Sequence, residues 1–146
     1  MIRLSPHFTL EELTQSQTAT RKGIDNTPAP SVIEALGDTA ERMEAVRAVL
    51  GDRAISVSSG YRSPELNREI GGVRRSAHLS GRAVDFNCFS FGDPLEVCKA
   101  IAASQIEFDQ LIEEGTWVHL SFDPRLRRQV LTKARDGGYR SGLRPG

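Results

Sequence analysis

The chain has little of what would single out many protein classes. Its 146 residues include two cysteines, Cys88 and Cys98, too few for a disulfide scaffold. They read as buried reduced thiols, because free cysteine packs as a small apolar side chain. No segment approaches the roughly 20 apolar residues needed to span a bilayer. Met1-Ile2-Arg3-Leu4-Ser5-Pro6 has no apolar stretch of the kind a signal peptide carries. The 19 basic and 19 acidic residues cancel, which argues against a protein built mainly to hold nucleic acid. There is no repeat and no linker. What remains is a single domain of 1–146, long enough to bury one core. It is expected to be a monomer made in the cytoplasm, with no membrane insertion.

The charge that cancels overall is unevenly spread. From Arg125 onward there are seven basic residues and one acid, Asp136, so the last 22 residues carry +6 and the remainder −6. Residues 134–146 are rich in Gly and Arg and are predicted to fray beyond a core of about 6–132. Their charge is expected to favour polyanionic surfaces.

Periodicity supplies the elements. Thr9-Leu10-Glu11-Glu12 is a capping box opening a short helix, and residues 15–30 read as a long polar loop. A second box, Ser31-Val32-Ile33-Glu34, opens the longest helix, about 32–50, with Ile33, Leu36, Ala40, Met43, Val46 and Leu50 at helical spacing. Residues 54–58 alternate as a strand, Ser63-Pro64 starts a short helix, and Asp93-Pro94-Leu95-Glu96 opens another. Residues 109–113 and 117–122 read as a hairpin, and 129–132 as an edge strand. This order predicts an α+β fold with a central antiparallel sheet flanked by helices.

Histidine is scarce too, and that makes its placement informative. Of three histidines, His7 lies outside any motif and is expected at the surface. His78 precedes Asp85 by seven residues, with Gly81 between them to turn the chain. His119 lies inside the apolar run from Trp117 to Phe122. Two imidazoles and a carboxylate, with a fourth position left to water, form the ligand set of a catalytic zinc. The same residues are also compatible with a buried His78–Asp85 hydrogen bond and an unrelated strand histidine.

These stretches carry a resemblance. Ser76-Ala77-His78-Leu79-Ser80-Gly81-Arg82-Ala83-Val84-Asp85 resembles the metal motif of the zinc D-alanyl-D-alanine peptidases (peptidase family M15). That family includes bacterial carboxypeptidases, dipeptidases and phage endolysins, and it shares its fold with the hedgehog signalling domain. Ser59-Gly60-Tyr61-Arg62-Ser63-Pro64, with Asn67 and Gly71-Gly72, resembles the segment before the motif, and Trp117-Val118-His119 its last ligand strand. His7 to Leu13 resembles the opening of small phage members. The resemblance implies a hedgehog/DD-peptidase-like fold and one Zn²⁺ held by His78, Asp85 and His119. It further implies a substrate-polarising Arg62 and a substrate-binding Ser76. The expected activity is hydrolysis of peptidoglycan peptide stems, of D-Ala-D-Ala carboxypeptidase or L-Ala-D-Glu endopeptidase type, by a phage endolysin released onto the cell wall. The alternative is a catalytically inert, zinc-bearing wall-binding or phage structural domain of the same fold.

Amide hydrolysis on a metal also needs a carboxylate outside the ligand shell to move protons. Glu113 and Glu114 are the candidates. A three-residue turn over 114–116 would preserve parity across the hairpin and set Glu113, Trp117 and His119 on one face. The resemblance points the same way, since hedgehog-like and phage members place a Glu six positions before the last His. Glu113 is therefore the expected base, with Glu114 in reserve and Trp117 a packed strand aromatic. The dipeptidase branch has its base three before that His, where this chain has Thr116, which argues against that branch.

Overall fold

In the computed structural model, which describes residues 1–144, the longest helix supports one side of a six-stranded sheet. The chain opens with two short strands, β1 (Arg3–Ser5) and β2 (Phe8–Thr9), and helix α1 (Leu10–Thr14), whose Thr9–Glu12 capping box forms as expected. The segment read as loop contains a helix, α2 (Gln17–Lys22), capped by Ser16 and closed by Gly23. It is too short and too polar to show a hydrophobic period. Helix α3 runs Pro30–Val49 from an N-cap at Ala29 that makes no side-chain bond. The expected Ser31 box is displaced because Pro30 takes the first helical turn, where its missing N–H costs nothing.

The sheet follows the order β3 (Ser56–Ser59), β4 (Ala83–Asn87), β6 (Val118–Ser121), β5 (Gln110–Glu113), β7 (Gln129–Lys133), β8 (Tyr139–Ser141). Every pairing is antiparallel except β5 with β7, which is parallel. Helix α4 (Pro64–Ile70) and a 3₁₀ turn (Ala77–Ser80) lie between β3 and β4, and α5 (Pro94–Ala102) follows β4. The result is the expected α+β class.

One face of the sheet makes the core. Val57, Val84, Phe86, Leu111, Val118 and Leu120 pack against Leu36, Met43 and Val46 of α3 and Val97, Cys98 and Ile101 of α5, all buried. Full burial of each such large side chain contributes about 1.5–3 kcal/mol. Both cysteines are buried and reduced. Alternation along the strands sends Asp85, His119, Ile112 and Leu131 to the opposite face, and the pairings put them in one row across four strands. That open face carries the site.

The C-terminal segment differs from the expectation of a frayed tail. Tyr139–Ser141 forms β8 on β7, Gly142 N–H donates to the Val130 carbonyl, and the Thr132 hydroxyl donates to the Gly142 carbonyl. Glycine and arginine dilute the strand signal, but Gly137, at φ 90°, turns the hairpin that makes pairing possible. Residues 145 and 146 lie outside the described part. Among the described residues, no helix is long and apolar enough to cross a membrane.

Candidate metal centre

His78 owes its position to two turns. Ser76 caps the 3₁₀ turn, accepting from the His78 backbone N–H, and Gly81 closes it at φ 75°. A Cβ on Gly81 would stand 3.0 Å from Leu36 and 3.1 Å from Val32, so the turn sits tight on α3. The Thr39 hydroxyl of α3 donates to the Gly81 carbonyl at 2.7 Å. His78 is thereby clamped to the core, although it stands on a loop.

The ring itself is oriented from the β3–α4 turn. His78 Nδ1 bonds the Gly60 carbonyl at 2.6 Å, which makes Nδ1 the protonated nitrogen and leaves the Nε2 lone pair facing the cleft. His78 Nε2 lies 3.2 Å and His119 Nδ1 2.9 Å from Asp85 Oδ1, and the donor atoms of the three residues all lie within 4.8 Å of one another. The imidazoles stand edge to face, 5.2 Å between centroids. Asp85 Oδ2 takes the Arg62 guanidinium at 3.2 Å.

Electrostatics suit a cation. Burial pushes the His78 pKa down, so the ring is held neutral and able to ligate. Burial alone would raise that of Asp85, but the neighbouring His78 and His119 hold its carboxyl well below the usual range. A buried carboxylate with two lone pairs converging beside it is a donor set of the kind zinc takes, and the residues fit that ion.

Arg62 meets three partners: Asp85, the Ser59 hydroxyl at 3.1 Å and the Asn67 side-chain oxygen at 3.4 Å. A guanidinium has five N–H donors, so two remain for the cleft that Arg62 lines. Ser76 lines the same cleft, of about 420 Å³, together with Glu114 and Trp117.

Glu113 is not in that cleft. The β5–β6 register pairs Ile112 with His119 and Glu113 with Val118, and the Glu114 N–H donates to the Trp117 carbonyl. The loop is therefore two residues, Gly115 and Thr116, and not the three that parity preservation would need. Gly115 adopts φ 99° to close it, in keeping with the preference for short glycine loops in hairpins. One residue fewer in the turn exchanges the faces. Glu113 points into the core side, buried, with its Oε1 accepting from the Gly115 N–H at 2.5 Å. There burial, reinforced by the Glu113 charge, pushes the Cys98 thiol up to about 12. Glu114 takes the metal face, close enough to Arg62 for its charge to be felt there. Its Oε1 is buried without a hydrogen-bond partner, as is Trp117 Nε1. His7 lies away from this face, bonded to Glu44 of α3 at 2.8 Å.

The sequence model of the Peptidase M15 family matches residues 6–121. The chain belongs to the peptidase M15 family. A zinc D-Ala-D-Ala carboxypeptidase of Streptomyces albus G is 37% identical over 51 residues, a stretch that covers 35% of this chain and 20% of that protein. The match thus spans a fifth of that protein's length. Strands β7 and β8 lie beyond the family match.

Proposed function

We propose that this chain is a zinc-dependent peptidase that hydrolyses peptide-stem bonds of bacterial peptidoglycan, in the manner of a phage endolysin. The observation that carries the reading is the position of Glu114, a carboxylate outside the His–Asp–His set that opens onto the same cleft. An inert zinc-bearing domain need not keep such a group. Family membership and the likeness to a zinc D-Ala-D-Ala carboxypeptidase support the same chemistry.

In this reading His78, Asp85 and His119 hold one zinc. When bound, zinc lowers the pKa of a water to about 7 and polarises the scissile carbonyl. Glu114 accepts the proton of the attacking water and returns it to the leaving amine. Arg62 donates to Asp85 Oδ2, which leaves Oδ1 turned toward the imidazoles, and directs its two uncommitted N–H groups at the substrate carbonyl or carboxylate. Ser76 accepts from the His78 N–H and keeps its own O–H to donate to the bound peptide.

The test is digestion of defined muropeptides with the zinc-loaded protein, read by mass spectrometry. Loss of a terminal D-Ala identifies a carboxypeptidase; a break between L-Ala and D-Glu identifies an endopeptidase. Intact muropeptides after prolonged incubation with fully loaded protein would overturn the proposal.

A further inference from the structure

The row of residues beside the His–Asp–His set extends further than the mechanism uses. β4–β6 pairing carries Asn87 opposite Trp117, where Asn87 Nδ2 donates to the Thr116 carbonyl at 3.0 Å. Trp117 stands across the hairpin from Glu114. The parallel β5–β7 register, Glu113 with Thr132, continues to Glu114 beside Lys133, and β8 pairs Lys133 with Tyr139. Trp117, Glu114, Lys133 and Tyr139 therefore share the metal face, one step along the strands from His119, Ile112 and Leu131. Tyr139 lines the same cleft as His78, Asp85, His119 and Glu114.

Glu114 needs an anchor. It sits at the end of β5, its backbone tied by one bond to Trp117, and its Oε1 is buried without a partner. A glutamate with three free torsions would lose efficiency as a base by sampling rotamers. Arg62 draws the carboxylate from one side of the cleft. The other wall offers a phenol.

We propose that Tyr139 is a positioning residue, whose hydroxyl donates to the Glu114 carboxylate and holds it toward the metal ligands. The C-terminal hairpin, which lies outside the family match, would then complete the site. The phenol's acidity agrees: burial, and then the neighbouring Glu114 carboxylate, push Tyr139 up to about 12. The charged and titratable groups lining the cleft with Glu114 are Arg62, Arg75, His78, Asp85, Asp109, His119, Asp123, Arg125 and Tyr139, and Glu113, Lys133, Arg135, Arg140 and Arg144 line the groove on its other side. Lys133, on the strand between Glu114 and Tyr139, reaches over the Trp117 ring, 6.0 Å from its centroid.

The proposal rests on the reading of Glu114 as the proton-transfer group, and its test separates the two. Tyr139→Phe keeps the ring and removes the donor. The pH midpoint of the Glu114 side-chain carboxyl, followed by ¹³C NMR at matched metal content and assigned by its disappearance in Glu114→Gln, should rise by about one unit or more in Tyr139→Phe. With muropeptide substrate, kcat should fall about ten- to a hundredfold, KM should hold, and the acid limb of the pH profile should move up. An unmoved carboxyl midpoint overturns the contact. A moved midpoint with unchanged kcat and pH profile overturns the positioning role. If the wild type cleaves no muropeptide, the peptidase reading and with it the positioning role fall, while the carboxyl midpoint still decides the contact.

Discussion

At the scale of single residues, the two adjacent glutamates differ only in which face of β5 they occupy. Glu114→Gln removes a carboxylate from the cleft while keeping its size, so zinc should stay bound and turnover should fall about 10²–10⁴-fold, the usual worth of a general base. Glu113→Gln keeps an oxygen to accept from Gly115 N–H and should leave turnover near wild type. The reverse pattern in a steady-state assay would show the hairpin register to be wrong. The ligand set makes a separate prediction. The purified protein should carry about one zinc per chain, and His78→Ala should lose it by metal analysis, since removing one of three protein ligands leaves an incomplete site. Full occupancy in His78→Ala would exclude His78 from the shell. The candidate ligands were legible in the sequence because Ser76 to Asp85 and Trp117 to His119 are local signals. The face of Glu114 was not, because parity depends on a loop length that Glu114-Gly115-Thr116 leaves ambiguous by one residue.

At the scale of elements, the site depends on a contact that no periodicity records. The Leu13 carbonyl at the end of α1 accepts from the Tyr61 N–H at 2.7 Å. That bond brings α1 so close to the β3–α4 turn that a Cβ on Gly60 would lie 2.3 Å from the Leu13 oxygen and 2.9 Å from its carbonyl carbon. The atoms in the way are backbone, so they cannot rotate aside. Gly60 also supplies the carbonyl that orients His78. Gly60→Ala should therefore displace that carbonyl and weaken zinc about 10–100-fold in a chelator competition, the usual effect of losing an outer-shell partner. Wild-type affinity in a folded Gly60→Ala protein would show that the carbonyl does not govern the ring. Helices α3 and α5 were legible from their apolar spacing, with the start of α3 moved back to Pro30. Helix α2 was not, because six residues of which five are polar, held by Ser16 and Gly23, carry no period.

At the scale of the whole molecule, the sheet joins the two ends of the chain's chemistry. Its order puts β4 and β6, which carry Asp85 and His119, in the middle, and leaves the last strands to wall the cleft. A basic, frayed tail was the natural reading of residues 134–146, because the net charge of the last 22 residues is visible in the sequence and the pairing of β8 is not. Strand β7 pairs parallel to β5 although strand β6 lies between them in the chain, and long-range registers of that kind leave no local trace. The charge is real as well: Lys133, Arg135, Arg140 and Arg144 line one groove at the hairpin end. Two roles for the segment can be told apart. Truncation after Thr132 removes β8, the Gly142 bonds to β7 and the Tyr139 wall, so it should lower the melting temperature and abolish hydrolysis of a soluble muropeptide together with binding to cells. Replacing Arg135 and Arg144 by Gln keeps the strands and lowers the charge by two. That variant should bind cells less well at low salt, converge with wild type as salt screens the attraction, and cleave soluble muropeptide normally. Intact hydrolysis after truncation would mean that β7 and β8 serve only as a charged appendage. Salt-independent binding in the double glutamine variant would mean that the groove does not steer the protein to cells.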